Sequence, residues 1–125
     1  MWYDSVYSDG SKYFVSNPLP KKGEEITIYI RFSKKVKIDC VFIKTKLNGI
    51  DRACKMEKSH EKNGLVYYKY NVVCYEDVLK YQFLLFYRGT AYYYTQNGIT
   101  TFFPEETYDF KILYNFDQPL WVKNA

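Results

Sequence analysis

Histidines and closely spaced cysteines, the usual zinc ligands, are scarce in this sequence. His60 is the single histidine, and the three cysteines, Cys40, Cys54 and Cys74, form no Cys-x-x-Cys pair. A structural zinc site needs four such ligands, commonly in closely spaced pairs. We therefore expect no zinc site. We interpret the cysteines as separate thiols of a reducing compartment rather than as a disulfide framework.

Long apolar runs are also missing. No segment approaches the roughly 18 apolar residues that a membrane helix requires, and the first residues lack the apolar stretch of a secretory signal. We therefore predict a cytoplasmic protein with no membrane partner. An extracellular location would require that a signal peptide had already been removed.

The sequence contains none of the common catalytic motifs. It has no P-loop, no Gly-x-Ser-x-Gly and no usable Ser/His/Asp set. Its adjacent acidic pairs, at 24–25 and 105–106, fall in predicted turns and strand ends, where carboxylates are usually solvated. We therefore predict that this chain has no catalytic residues and needs no cofactor.

Aromatic residues are abundant: they make up 21% of the 125 residues, with 15 tyrosines and 9 phenylalanines. Such side chains favour strands, so the composition indicates a β protein. The net charge is +4, with one dense cluster at Lys34, Lys35 and Lys37. A basic aromatic domain could bind single-stranded nucleic acid by stacking. Because the positive charges are not organised on the aromatic strands, we expect no nucleic-acid partner.

Alternating apolar and polar residues predict short strands separated by turns. The clearest strand is Glu25–Ser33, and turns such as Asn63-Gly64 follow at intervals of about eight to twelve residues. The other predicted strands are 2–7, 13–15, 36–46, 52–56 (or 53–59), 65–73, 80–88, 91–95 and 109–114. This spacing is typical of an all-β, antiparallel sandwich or barrel in a single domain.

Side-chain alternation also assigns most of the strand faces. The residues predicted to share a face are Ile26, Ile28, Ile30 and Phe32; Val66, Tyr68, Tyr70 and Val72; and Tyr81, Phe83, Leu85 and Tyr87. In strand 36–46 the pattern leaves the buried face open. Two sets are apolar there: Ile38 with Cys40 and Phe42, and Val41 with Ile43.

Residues 115–124 are the most distinctive segment, because a proline and a tryptophan stand in a short mixed string that is typical of a linker. The string resembles the junction between the N-terminal β-sandwich and the catalytic barrel in glycoside hydrolase family 13 enzymes such as neopullulanases, cyclomaltodextrinases and maltogenic amylases. Similar segments of the sandwich occur at 6–9, where Ser8 replaces a usual histidine, and at 26–32, 66–70, 79–85, 89–98 and 109–110.

The chain is thus similar to carbohydrate-binding module family 34, which implies an immunoglobulin-like antiparallel β-sandwich of about eight strands. Residues 1–116 would form the module, and 117–125 would begin the linker to a barrel outside this chain. Pro119 and Trp121 would lie at that interdomain junction. Some related modules bind calcium near the N-terminus. Because only Asp4 and Asp9 lie there, we expect no metal.

The resemblance implies two alternative functions for this non-catalytic part of an α-glucan-degrading hydrolase of the neopullulanase or α-amylase type. In the first, exposed aromatic rings bind starch or maltodextrin-type α-glucans by stacking on the sugar faces. In the second, the domain packs on the catalytic barrel, mediates dimerisation with a second subunit and shapes the active-site cleft without binding sugar itself. The absence of aromatic residues between Phe42 and Tyr67 favours the second.

Candidate sugar contacts are aromatic residues on strand faces together with polar neighbours that could bond hydroxyl groups. We predict contacts from Tyr92, Tyr94, Tyr29, Tyr67, Arg88 and Asn97. Tyr92 and Tyr94 share one face of strand 91–95, and Tyr93 lies on the other. The alternation does not decide which of the two faces meets the solvent.

Overall fold

The computed structural model of this chain describes residues 1–47, 49–105 and 108–114. These ranges contain a short 3-10 helix, Trp2–Ser5, and nine strands. The strands are β1 (Glu25–Ser33), β2 (Cys40–Leu47), β3 (Ile50–Lys55), β4 (Glu57–Lys62), β5 (Leu65–Val73), β6 (Val78–Tyr87), β7 (Thr90–Thr95), β8 (Gly98–Thr100) and β9 (Phe110–Leu113). No helix in the described ranges is both long and apolar enough to cross a bilayer.

The strands form two antiparallel sheets. The smaller sheet has the order β1-β5-β4, and single bridges from Tyr7 and Val15 extend it beyond β1. The larger sheet has the order β3-β2-β6-β7-β8. Strand β9 pairs with the first half of β6, and β7 pairs with the second half. The predicted antiparallel β architecture is therefore confirmed.

The core lies between the two sheets and is built by alternation. On β1 the predicted set Ile26, Ile28, Ile30 and Phe32 is buried. From the facing sheet come Val41, Ile43, Tyr81, Phe83 and Leu85. Burying an aliphatic or aromatic side chain contributes about 1.5–3 kcal/mol, so this layer supplies most of the driving force for folding.

Strand pairing settles the face of β2 that periodicity left open. Val41 lies opposite Leu85 and Ile43 opposite Phe83, and both pairs are buried. Phe42 therefore faces outward, where its ring lies 5.8 Å from that of Phe86 in an edge-to-face contact. The partner strand decides the buried face because directly opposed residues must point the same way.

Three predicted strands are wrong in whole or in part. In place of the strand predicted at 13–15 the structure has a turn, from which only Val15 bridges to β1. The strand predicted at 2–7 is the helix Trp2–Ser5, and only Tyr7 bridges to β1. Trp2 stacks on Tyr87 instead, with ring centroids 4.2 Å apart, so a contact with a distant strand determines this segment. Strand β2 begins at Cys40 rather than at residue 36. The chain turns before it, because the Val36 amide donates to the Ser33 carbonyl. Strand β8 was not predicted.

Two hairpins use the same turn with different residues. Between β4 and β5 the turn is Asn63-Gly64, with φ of 53° and 77°. Between β6 and β7 it is Arg88-Gly89, with φ of 49° and 77°. Both central residues are left-handed, as a two-residue hairpin turn of this type requires. Arginine adopts this conformation far less readily than asparagine.

Candidate functional site

The outward face of the smaller sheet carries Tyr29 and Tyr67. Their positions follow from the β1–β5 register, which points both side chains away from the core. His60 lies between them, nearly parallel to Tyr67 with centroids 4.6 Å apart and edge-on to Tyr29 at 6.1 Å. Phe14 stacks on Tyr67 at 6.4 Å. The structure thus brings these two predicted residues together in one cluster of rings with His60 and Phe14.

Tyr94 lies in the core rather than on an open face. It is 8% exposed, and its ring lies 5.7 Å from Phe110 and 6.2 Å from Phe83. Its hydroxyl approaches the backbone nitrogen and oxygen of Ser8 at 3.4 and 3.5 Å. Burial raises the pKa of this phenol. Core residues therefore enclose most of the Tyr94 ring.

Tyr92 shares the inward side of β7 with Tyr94 and contacts Trp2, with ring centroids 4.8 Å apart. Tyr93 has the opposite orientation and pairs with the outward residue Leu84. The ring of β7 that reaches the outer surface is therefore Tyr93. The sequence placed it on the opposite face without identifying that face as the open one.

The two polar candidates lie at opposite ends of β7. Arg88 precedes this strand, and its guanidinium lies 5.3 Å from the ring centroid of Tyr87. Asn97 follows the strand, in a turn where its amide donates to Thr95 Oγ1 at 3.1 Å. The strand between them spans about 17 Å, since it has five steps of about 3.3 Å each. The structure therefore does not bring these two side chains into one site.

A cleft of about 380 Å³ lies beside the β7–β8 turn, and we call it the aromatic cleft. Its main lining residues are Asn97, Thr100, Phe102, Phe103, Glu105 and Tyr108. Phe102 is 81% exposed and Phe103 is 69% exposed. These two consecutive phenylalanines add exposed apolar surface to the cleft, and a contiguous apolar patch on a surface can mark a contact site.

Backbone hydrogen bonds shape the segment that carries these rings. The amide of Phe102 donates to Thr100 Oγ1 at 3.1 Å, which turns the chain after β8. The amide of Tyr108 donates to the Glu105 carbonyl at 3.1 Å, and the amide of Gln96 donates to the Tyr108 carbonyl at 3.0 Å. These bonds tie the cleft wall to the end of β7.

Lys44 and Tyr93 fix the position of the Phe103 ring. Phe103 lies edge-on to Tyr93, with ring centroids 5.5 Å apart. The ammonium group of Lys44 lies 4.3 Å from the Phe103 centroid and 5.4 Å from that of Tyr93. A cation over aromatic faces is attracted by their electron density, so Lys44 holds both rings against the outer face of the larger sheet.

The sequence did not identify Phe102, Phe103 and Tyr93 as site residues. Residues 101–105 lie outside any strand, so alternation assigns them no face. One signal was available: two consecutive phenylalanines before Pro104 are apolar residues in a segment with no sheet to bury them. Of the predicted polar residues, Asn97 lies in the aromatic cleft, whereas Arg88 does not.

Of the two acidic residues near the N-terminus, Asp4 lies in the helix Trp2–Ser5 and Asp9 closes a local turn. The carboxylate of Asp9 accepts from the Tyr7 hydroxyl at 2.7 Å and from the Ser11 amide and hydroxyl at 2.9 and 2.6 Å. Burial works to raise the pKa of Asp9, but the bonds from Ser11 and Tyr7 lower it overall. Across the described ranges, no three histidine, cysteine or acidic side chains are grouped to hold a metal.

The predicted interdomain junction lies outside the described residues. Pro119, Trp121 and the whole of 117–125 belong to that part of the chain. The boundary at 116 therefore stays a prediction. The proposed sugar contacts of Tyr29, Tyr67, Tyr92, Tyr94, Arg88 and Asn97 also stay predictions, although the structure now gives each of them a place.

Solved structures with a similar fold include parts of three named enzymes. The chain superposes on part of a cyclomaltodextrinase with a TM-score of 0.77 and 22% identity, covering 100% of this chain and 22% of that one. A maltogenic amylase from S. marinus gives 0.60 and 19%, covering 81% and 13%. A cycloalternan-forming enzyme from Listeria monocytogenes gives 0.57 and 20%, covering 72% and 10%. The chain thus spans less than a quarter of each of these three proteins.

Comparison with protein families gives the assignment. No curated protein sequence matches the chain. The family described as "Alpha amylase, N-terminal ig-like domain" matches residues 15–121, which is most of the sequence. This match confirms the predicted immunoglobulin-like sandwich and the resemblance to N-terminal domains of glycoside hydrolase family 13. The chain belongs to the family of alpha amylase N-terminal ig-like domains.

Proposed function

We propose that this domain binds α-glucans of the starch or maltodextrin type at the aromatic cleft. It would serve as the non-catalytic N-terminal part of an α-glucan-degrading hydrolase of the neopullulanase or α-amylase type. Family membership and the fold shared with cyclomaltodextrinase and maltogenic amylase support the enzyme class. One observation carries the sugar-binding proposal: Phe102, Phe103 and Tyr108 stand exposed beside Asn97 and Glu105 in one cleft.

The chemistry of the cleft suits a sugar ring. A pyranose presents an apolar face of C–H groups and a rim of hydroxyl groups. Rigid aromatic rings such as Phe102 and Phe103 can pack against the face with little loss of conformational freedom. The Asn97 amide both donates and accepts hydrogen bonds, and the Glu105 carboxylate accepts them. The volume falls within the range of about 300–1,000 Å³ that is usual for small-ligand sites.

Within the parent enzyme, such a site would keep a glucan chain near the catalytic barrel. A weak site tethered to an active site raises the effective substrate concentration without any new contact at the reacting bond. The barrel of the same polypeptide, and a second subunit, are the protein partners in this proposal. We also propose a cytoplasmic location, which is compatible with Cys40, Cys54 and Cys74 being free thiols.

The test is calorimetric titration of the domain with maltoheptaose, comparing Phe103→Ala with Tyr13→Ala. Removing Phe103 deletes one stacking platform, and we expect the affinity to fall about tenfold, or roughly 1.4 kcal/mol. Tyr13 is also strongly exposed but lies outside the cleft, so its variant controls for the loss of any surface aromatic. Unchanged affinity in Phe103→Ala, or an equal fall in Tyr13→Ala, would reject the cleft as the site.

The second candidate function is protein packing, and the same rings favour it. Phe102 and Phe103 have no polar group, and exposed phenyl rings are typical of surfaces that another protein covers. In this alternative the domain packs on the barrel, mediates dimerisation and shapes the cleft of the active site. It predicts that Phe102→Ala in the intact enzyme promotes subunit dissociation in analytical ultracentrifugation. Titration of the isolated domain with α-glucans would then give no heat.

A further inference from the structure

Phe103 lines a second recess besides the aromatic cleft. This recess has a volume of about 80 Å³, and we call it the Gln82 pocket. Its lining includes Lys44, Asp51, Gln82, Phe103 and Asp109. The volume is that of two or three water molecules, since each takes about 30 Å³ in the liquid. The pocket can therefore admit one hydroxyl-bearing edge of a sugar but not a whole ring.

Gln82 lines this pocket and carries a buried acceptor without a hydrogen-bond partner among the described residues. It lies on the outward side of β6, yet it is only 6% exposed. Its Nε2 donates to Asp109 Oδ1 at 3.1 Å. Because a carboxylate oxygen accepts and does not donate, this bond fixes which end of the amide is nitrogen. Oε1 must then point elsewhere, and no described residue bonds it.

An unpaired acceptor in such a place requires an explanation. Leaving a buried carbonyl oxygen without a donor is destabilising by about 1–3 kcal/mol. The amide cannot rotate to relieve this loss without turning its oxygen towards the Asp109 carboxylate. The Gln82 pocket is therefore preorganised to receive a hydrogen-bond donor from outside the chain.

The surrounding contacts make the pocket rigid. Asp109 is buried, and its carbonyl accepts from Gln96 Nε2 at 2.8 Å. Asp109 thus accepts hydrogen bonds from Gln82 of β6 and from Gln96 at the end of β7, and these bonds connect both strands to the segment before β9. Lys44, whose ammonium lies against Phe103, adds a cationic donor to the lining. The lining therefore offers both an acceptor and a donor to a pair of sugar hydroxyls.

We propose that the Gln82 pocket is the hydroxyl-recognising subsite of the glucan site, with Gln82 as its specificity-determining residue. This inference rests on the proposed function, because Phe103 is the wall that the two recesses share. A glucose unit stacked on Phe103 extends one hydroxyl into the pocket, where Gln82 Oε1 accepts its hydrogen bond. A site with a buried partner for a hydroxyl discriminates against analogues that lack that group.

The experiment titrates a set of maltosides, each lacking one hydroxyl, against the wild-type domain and Gln82→Met. Methionine keeps the length of the side chain and removes the amide. With the wild type, we expect one deoxy ligand to bind about five- to tenfold more weakly than the parent sugar, the usual size of one hydrogen bond. With Gln82→Met, that same ligand and the parent should bind equally. Lys55→Met, on the same outer face but outside the pocket, should keep the wild-type pattern.

The outcomes separate the two proposals. No heat with any maltoside would reject the glucan site and its subsite together. The subsite alone would be rejected if Phe103→Ala weakens binding but the wild type and Gln82→Met show the same relative affinities for the deoxy maltosides. If Gln82→Met does not fold, Gln82→Asn retracts the carbonyl by one methylene and should abolish the same discrimination. A wild type indifferent to every missing hydroxyl would also overturn the inference.

Discussion

Replacing Tyr81 by phenylalanine should stabilise the domain, against the usual direction of core substitutions. Tyr81 is fully buried in β6, with its ring 5.4 Å from Phe110 and 5.7 Å from Phe83. Its hydroxyl has no hydrogen-bond partner among the described residues. The variant keeps the ring and its contacts and removes only the unpaired group.

The magnitude follows from the hydroxyl alone. A buried polar group without a partner is destabilising by about 1–3 kcal/mol relative to the same group in water. Because the phenyl ring is retained, no cavity term opposes the gain. We therefore expect the free energy of unfolding to rise by about 1–2 kcal/mol. For a domain of this size, that corresponds to a melting temperature higher by roughly 3–10 °C.

Urea unfolding followed by circular dichroism at pH 7 measures this change. Tyr94→Phe is the matched control, since the Tyr94 hydroxyl does approach the backbone of Ser8. We expect that control to be neutral or destabilised by up to about 1 kcal/mol, the usual worth of one hydrogen bond. A loss of stability in Tyr81→Phe would refute the reasoning, because it would mean that the hydroxyl has a partner such as a buried water.

Three further predictions concern the turn, the core and alkaline pH. Arg88→Asn gives the β6–β7 hairpin an asparagine at the position that Asn63 occupies in the β4–β5 hairpin, whose turn has the same geometry. The free energy of unfolding should rise by up to about 1 kcal/mol, because asparagine adopts the left-handed conformation more readily. Thermal melts measure this change, and a lower melting temperature would contradict it. Ile30→Ala empties a fully buried position and should lower that free energy by about 2–5 kcal/mol in urea, and a loss below about 1 kcal/mol would show that the core collapses around the gap. Burial raises the pKa of Tyr81 and of Tyr94 in the folded state above the unfolded value near 10. At a pH between the unfolded and the folded pKa, the folded state binds more protons than the unfolded state. The free energy of unfolding should therefore fall as pH rises above about 10. Unfolding in urea at pH 9, 10 and 11 should show this decline, less steeply in Tyr81→Phe, and a flat profile would count against it.

Strands with one clean apolar face could be predicted from the sequence. In β1 the isoleucines at 26, 28 and 30 recur with period two, and no competing set exists on the other face. In β2 two apolar sets compete, and only pairing with β6 selects Val41 and Ile43. The helix Trp2–Ser5 could not be predicted, because the stacking of Trp2 on Tyr87 joins residues far apart in sequence.

The candidate site was harder to predict than the fold for a related reason. Phe102 and Phe103 lie outside the strands, so no periodicity shows whether they are buried or open. Tyr93 and Tyr94 differ by one position, and their roles depend on the β6–β7 register. The special position of Gln82 comes from Asp109, which lies 27 residues away and fixes the direction of its amide.

Titration of the wild-type domain with maltoheptaose and with β-cyclodextrin, beside cellohexaose, tests the central claim most directly. We predict heat with the two α-linked ligands and none with the β-linked one. Heat of equal size with all three ligands would contradict specific recognition. Silence with all three would contradict sugar binding by the domain and leave packing on the barrel as its function.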